Sequence, residues 1–81
     1  MEKEYYKGYA IWSAGHFLPE EQKWEVRFYV GKETAREIRE MPFELPFLHD
    51  SQKVAEVDAL AAARAKIDQH IAGDRSLDLL G

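Results

Sequence analysis

The side chains best suited to acid–base or metal chemistry in this chain are three histidines, His16, His49 and His70. No two of them have the i, i+3 or i, i+4 spacing that places two imidazoles of one helix on the same metal ion. The chain has no cysteine, and it carries no phosphate-cradling glycine loop or nucleophile elbow. We therefore predict no catalytic residue, no metal site and no cofactor, and we interpret the histidines as surface or loop residues.

Arg64 is the most informative polar residue, because it falls within the apolar stripe of a predicted helix. Burying an unpaired guanidinium is costly, so this side chain needs a partner or a route to water. Asp68 follows it at the i, i+4 spacing of a helical ion pair. We predict a structural ion pair between Arg64 and Asp68; the alternative is an arginine that binds a ligand.

Aromatic rings and arginines share one face of the predicted sheet. Such a face can stack on bases or anchor a protein partner, although its side chains can instead cover one another across the strands. The candidate binding residues are Tyr6, Trp12, Arg27, Tyr29 and Arg36. If this face binds, the acidic balance of the chain favours a protein over a nucleic acid.

One long predicted helix, over residues 51–72, organises the rest of the chain. Asp50 and Ser51 suit its N-terminal cap, and Gly73 suits its C-terminal end. Apolar side chains recur at helical spacing, so the stripe that they form is predicted to cover the sheet. The stripe contains Val54, Val57, Leu60, Ala61, Arg64, Ile67 and Ile71.

The opposite side of this helix is rich in alanine. Alanine is the best helix former and needs no partner on a surface, but small residues also allow two helices to approach closely. Both helix propensity and a dimer contact therefore remain open. The alanines are Ala55, Ala59, Ala62 and Ala63.

Two segments are typical of β-strands. Residues 4–12 are aromatic and β-branched, and residues 23–30 alternate with a period of two. In the second segment the predicted inward side chains are Trp24, Val26, Phe28 and Val30. In the first, Tyr5, Tyr9 and Ile11 are predicted on one face, and Tyr6, Ala10 and Trp12 on the other. We predict a loop over residues 13–22.

The middle of the chain leaves an alternative open. Residues 33–40 suit an edge strand or a short helix, and we choose the strand because two strands alone rarely hold a helix. Residues 41–49 contain two prolines and predict a stiff extended connector. The result is an α+β fold, β-β-β-α, with a three-stranded antiparallel sheet and one C-terminal helix packed on one face.

Length and composition limit the function classes. The 81 residues form one domain, predicted over residues 1–75, followed by a short tail over 76–81. The tail leucines, Leu77, Leu79 and Leu80, either tuck against the core or form a sticky terminus. No apolar run approaches the length of a membrane span and no signal peptide is visible, so we predict a soluble, cytoplasmic protein.

The net charge of −4 is spread over both halves of the chain, with no basic half to bind phosphate backbones. Nucleic acid is therefore a less favoured partner than a protein or a second copy of the chain. We predict a non-catalytic protein-interaction or regulatory module. The alternative is a nucleic-acid-binding or antitoxin-like domain that uses the aromatic and arginine face.

The segments YKGYAIWSAG, KWEVRFYV and PFELPF, with the helix ending ARAKID, resemble small uncharacterised proteobacterial β-β-β-α domains. The order of elements is also similar to HicB-type antitoxins and to double-stranded-RNA-binding domains. These resemblances imply a fold more than a function. The matching positions are Tyr6, Gly8, Tyr9, Ile11, Trp24, Val26, Phe28, Ala63, Ile67 and Asp68.

Overall fold

The computed structural model of the chain describes residues 3–33, 36–73, 75, 77 and 80. The fold is α+β, with an antiparallel sheet whose strands lie side by side in chain order and a helix that packs on one face. The elements are β1 (Glu4–Tyr6), β2 (Tyr9–Leu18), β3 (Lys23–Glu33), β4 (Ile38–Glu44) and α1 (Gln52–Ile71). The sheet therefore has four strands instead of the predicted three.

The first correction concerns residues 4–12, which form a hairpin instead of one strand. Lys7 and Gly8 have φ angles of 50° and 87°, and they join β1 to β2 as the two-residue turn whose positive φ angles match the twist of a hairpin. Tyr6 and Tyr9 are cross-strand partners and so share a face. The face predicted for Tyr6 was wrong for this reason.

The predicted loop over residues 13–22 is largely strand. β2 continues to Leu18, and the turn occupies only the four residues that follow. Gln22 adopts a positive φ of 56°, and its backbone N–H donates to the Leu18 carbonyl at 2.9 Å. Gly15 lies inside the strand, opposite Val26, so here a glycine does not mark a loop.

β4 begins in the segment predicted as a strand and continues into the segment predicted as a connector. The additional strand of the sheet comes from the first hairpin, because residues 4–12 contain β1 and the start of β2. β3 ends at Glu33 and β4 runs from Ile38 to Glu44, so only part of the predicted strand over residues 33–40 is present, and residues 34–35 lie outside the described residues. The Leu45 N–H donates to the Val26 carbonyl at 3.3 Å. In an antiparallel ladder, alternate residues point their N–H groups toward the same neighbouring strand. Because Leu45 points its N–H toward β3, the nitrogen of Pro42 lies on the outer edge of β4, where the lack of an N–H is tolerated.

The helix has the predicted span but buries the opposite side. The Ser51 hydroxyl accepts from the Val54 N–H at 3.1 Å and caps the N-terminus. The side chains of Val54, Val57 and Ile71 are more than half exposed, so the predicted stripe was largely wrong. The residues of α1 with no exposed surface are Ala55, Ala59, Ala63 and Ile67.

The reason lies in the sheet. Its helix-facing side carries large rings, and Tyr9 and Phe28 are both buried there. Small side chains on the helix let its backbone approach those rings at close-packed density. Ala55, Ala59 and Ala63 are therefore covered by the chain's own sheet, and Ala62 is partly exposed.

The core also includes part of the predicted tail. Leu77 has no exposed surface and Leu80 is 4% exposed, and both belong to the main apolar cluster. Of the two alternatives for these leucines, the structure shows the tucked one, while Leu79 lies outside the described residues. Among the described residues, no helix is long and apolar enough to cross a membrane.

Candidate functional site

The candidate site is the sheet face that points away from α1, which we call the open face. The cross-strand partners Trp12 and Tyr29 lie at its centre, and Pro42 lies next to Tyr29 on β4. The helix and the buried leucines pack on the other face, so no described element covers this one. By register, the open face carries Tyr5, Ala10, Trp12, Ala14, His16, Leu18, Lys23, Glu25, Arg27, Tyr29, Gly31, Glu33, Ile38, Glu40, Pro42 and Glu44.

The two central rings are held rigidly. Trp12 and Tyr29 stack with centroids 5.4 Å apart and an angle of 11° between planes. A Cβ on Gly31 would come within 3.1 Å of the indole, so a larger residue here would displace the indole by a few tenths of an ångström. The Lys3 ammonium lies 5.0 Å from the indole centroid. Trp12 is only 9% exposed as a result, whereas Tyr29 is partly exposed.

A depression of about 360 Å³ lies beside Tyr29. The Arg27 guanidinium borders it and donates through Nε to Glu44 at 2.9 Å. A second hollow of about 270 Å³ lies on the other side of Arg27, against β4. The residues around the larger depression are Ala14, Gly15, His16, Glu25, Arg27 and Tyr29.

Three of the five predicted surface residues come together on the open face, namely Trp12, Arg27 and Tyr29. Tyr6 does not, because the hairpin turn places it on the helix side, where its hydroxyl donates to Asp68. Arg36 is exposed between β3 and β4, outside both strands. His16 and Glu25 were not predicted as members of the site. His16 lies in the segment predicted as a loop. For Glu25 a signal was available, because the alternation of residues 23–30 places it on the same face as Arg27 and Tyr29.

The predicted ion pair within the helix is replaced by two longer-range pairs. Arg64 donates to Glu4 of β1 at 2.6 Å, and its side chain is 35% exposed, so the guanidinium reaches water as well. Asp68 accepts from the Lys7 ammonium at 2.7 Å and from the Tyr6 hydroxyl at 2.9 Å. Both helix residues therefore bind the first hairpin to α1 instead of each other, which is a structural role.

We expect the contacts of Asp68 to stabilise the fold at neutral pH and to be lost in acid. Hydrogen bonds from Lys7 and Tyr6 lower the pKa of Asp68 below its ordinary value of 3.8. A carboxyl with a lowered folded-state pKa stabilises the fold above its unfolded pKa, and this contribution disappears as the pH falls through the folded value. Asp68→Asn removes the charge. The difference in urea midpoint between the wild type and this variant should stay constant from about pH 7 to pH 5 and shrink below about pH 4.

The control for this experiment is Asp50→Asn, because Asp50 pairs with Lys23 at the far end of the sheet and its pKa is also lowered. The double variant shows whether the two acid transitions are independent, since distant sites should add. A midpoint difference for Asp68→Asn that persisted unchanged at about pH 2 would contradict the assignment.

His49 differs most from its prediction as a surface residue. It is 7% exposed, and its Nε2 lies 2.9 Å from the Asp58 carboxylate of α1. Its backbone pairs with Trp24 in both directions, at 2.7 and 2.9 Å. Its Nδ1 is buried without a partner among the described residues. The contact between His49 and Asp58 joins the segment before α1 to the second turn of the helix. The spacing of the two residues in the sequence does not predict this contact.

The other two histidines are placed separately. His16 lies on the open face, and His70 contacts the Tyr9 ring edge-on at 6.3 Å. Among the described residues, no group of three histidine, aspartate or glutamate side chains is arranged to hold a metal ion.

Comparison with known proteins assigns no family. No protein-family model, curated protein or solved structure matches the chain. The resemblance to small proteobacterial β-β-β-α domains, to HicB-type antitoxins and to double-stranded-RNA-binding domains therefore stays a prediction, resting on the residues named for it.

Proposed function

We propose that this protein is a non-catalytic interaction module that binds a protein partner on its open face. The observation that carries the proposal is the stacked Trp12–Tyr29 pair beside a depression of about 360 Å³ on a face that no described element covers. Rigid aromatic side chains supply large contact area at a small cost in conformational entropy, and they dominate many protein interfaces.

The position of the rings on paired strands supports this use. Trp12 and Tyr29 lie on the two longest strands, which are paired over nine residues. A site built on such strands is held in place before the partner arrives, so little ordering entropy is lost on binding. The neighbouring depression offers space for a side chain of the partner.

Two alternatives are less well supported. For nucleic acid, a single strand needs a cationic groove along its backbone, whereas Arg27 is already paired with Glu44. For strand addition in a homodimer, the outer edge of β4 presents Pro42 in place of a donor, with Glu40 and Glu44 beside it; prolines and charges of this kind discourage edge pairing.

The test is a selection of random 12-residue peptides displayed on phage. The variants are Tyr29→Thr, which removes the partly exposed ring but keeps strand propensity, and Phe47→Thr, which removes a 53% exposed ring outside the open face. We expect the enriched peptides to bind Tyr29→Thr about tenfold more weakly and Phe47→Thr unchanged. Circular dichroism checks that both variants are folded.

The proposal is wrong if no peptide is enriched, or if the enriched peptides bind Tyr29→Thr as well as the wild type. Single-stranded RNA of mixed sequence serves as the second ligand. Binding that is tight at low salt and weakens steeply as salt is added would favour the nucleic-acid alternative instead.

A further inference from the structure

We infer that the partner presents a lysine or arginine side chain, on an extended and positively charged segment, to the depression beside Tyr29. This inference rests on the proposed function and names the chemistry of its partner. It follows from the charges of the open face, from a contact that the chain makes within itself, and from the backbone at the edge of the sheet.

The charges of the open face leave a surplus of carboxylates. Among the described residues, the lysines and the arginine on or beside this face have acidic partners: Lys3 pairs with Glu33, Lys23 with Asp50 and Arg27 with Glu44. His16 also lies on this face, as the cross-strand partner of Glu25. In contrast, Glu25 and Glu40 are exposed, and within the described part of the chain neither has an ion-pair partner. A surface with unpaired carboxylates attracts cations and repels phosphate.

Glu25 is placed where its charge acts on a bound side chain. It lines the depression together with Tyr29 and His16, while Arg27 lies between Glu25 and Tyr29 on β3. The small Ala14 side chain on the neighbouring strand, opposite Arg27, leaves space for a bound side chain. Arg27 also borders the depression, but its guanidinium is engaged by Glu44 at 2.9 Å. The depression therefore combines an aromatic ring with a carboxylate that has no ion-pair partner among the described residues.

The chain uses this same combination to hold one of its own cations. The Lys3 ammonium lies 5.0 Å from the Trp12 centroid and 3.6 Å from a Glu33 oxygen. A ring face and a carboxylate attract an ammonium or guanidinium together, because the ring quadrupole adds to the ion pair. Lys3 occupies the Trp12 side of the stacked pair, and the depression offers the corresponding chemistry on the Tyr29 side.

The edge of the sheet limits how the segment is held. A peptide that extended the sheet at β4 would meet Pro42, which has no N–H to donate. At the β4 side of the sheet, recognition therefore depends on side chains lying across the open face, where charge contributes to selectivity.

The test uses three synthetic 12-residue peptides that share a glycine–serine spacing. The first carries alternating lysine and arginine, the second glutamine and the third glutamate at the same positions. Binding is followed by ¹⁵N–¹H NMR, with the Tyr29 and Glu25 amides as reporters. We expect the basic peptide to shift these amides, and the other two peptides to bind at least tenfold more weakly.

The variant Glu25→Gln should weaken binding of the basic peptide about two- to fivefold, the range of an exposed ion pair. Glu20→Gln is the matched control, because it removes the same charge from the turn after β2, outside the face. If both variants weaken binding equally, the peptide senses only the net charge of the protein and the inference is wrong. It is also wrong if the glutamine peptide binds as tightly as the basic one.

Failure of this inference can be distinguished from failure of the proposed function. If the phage peptides depend on Tyr29 but show no excess of lysine and arginine, the open face binds a partner of different chemistry, and only the inference fails. If no peptide depends on Tyr29, both fail.

Discussion

Ile67→Ala should lower the free energy of unfolding by about 2–5 kcal/mol, the cost of removing a buried isoleucine side chain and leaving a cavity. Ile67 has no exposed surface and packs against the rings of the sheet. Ile71→Ala, one turn later, should change the free energy by about 0.5 kcal/mol or less beyond the change in helix propensity. Ile71 is 56% exposed.

These two isoleucines form a matched pair, because the substitution and the element are the same and only the burial differs. Urea denaturation followed by circular dichroism measures both. The sequence pattern placed both residues in the buried stripe, which would make the two losses similar. Similar losses in the free energy of unfolding would therefore mean that α1 buries the stripe predicted from hydrophobicity. In that case, burial of the alanine side of α1 would be wrong.

Leu77→Ala should also lower the free energy of unfolding by about 2–5 kcal/mol, although it lies after the helix, in a segment that the sequence presents as a tail. Leu77 has no exposed surface and belongs to the main apolar cluster. A domain of this size has a total stability of roughly 4–12 kcal/mol. The loss is therefore a large share of the total, and thermal unfolding should show it as a clear decrease in Tm.

Leu48→Ala is the control for this experiment, because Leu48 is 43% exposed and also lies outside the regular elements. It should lower stability by less than about 1 kcal/mol. Proteolysis provides a second measurement, since a detached C-terminal segment would be cleaved first. If Leu77→Ala had no larger effect than Leu48→Ala, the segment would be a free tail after all.

Local patterns were informative where one signal dominated. The helix over residues 51–72 is observed as Gln52–Ile71, because a cap at Ser51 and Gly73 beyond its end mark both limits. The alternation of residues 23–30 correctly placed Val26, Phe28 and Val30 in the core. The prediction failed at Lys7 and Gly8, which fit either a continuous strand or a two-residue turn. Only the pairing of Tyr6 with Tyr9 shows that they form the turn of a hairpin.

The candidate site was partly predictable for the same reason. Arg27 and Tyr29 share a face because alternation within one strand places them there, whereas Trp12 joins them through the register between β2 and β3. Arg36 could not be excluded, since the end of β3 and the start of β4 depend on the register between strands. The His49–Asp58 contact was also invisible, because a bend between the two residues brings them together.

The sequence by itself determined the secondary structure class, the helix limits and the alternation of the central strand, since each depends on neighbours within a few residues. Only the tertiary structure decided which side of α1 is buried. Both sides carry apolar residues, and the rings of the sheet accept the small alanines of one side, while the larger Val54 and Val57 of the other stay exposed. The same is true of Arg64 and Asp68, whose partners Glu4 and Lys7 lie about 60 residues away in the chain and become neighbours only when hairpin and helix pack together.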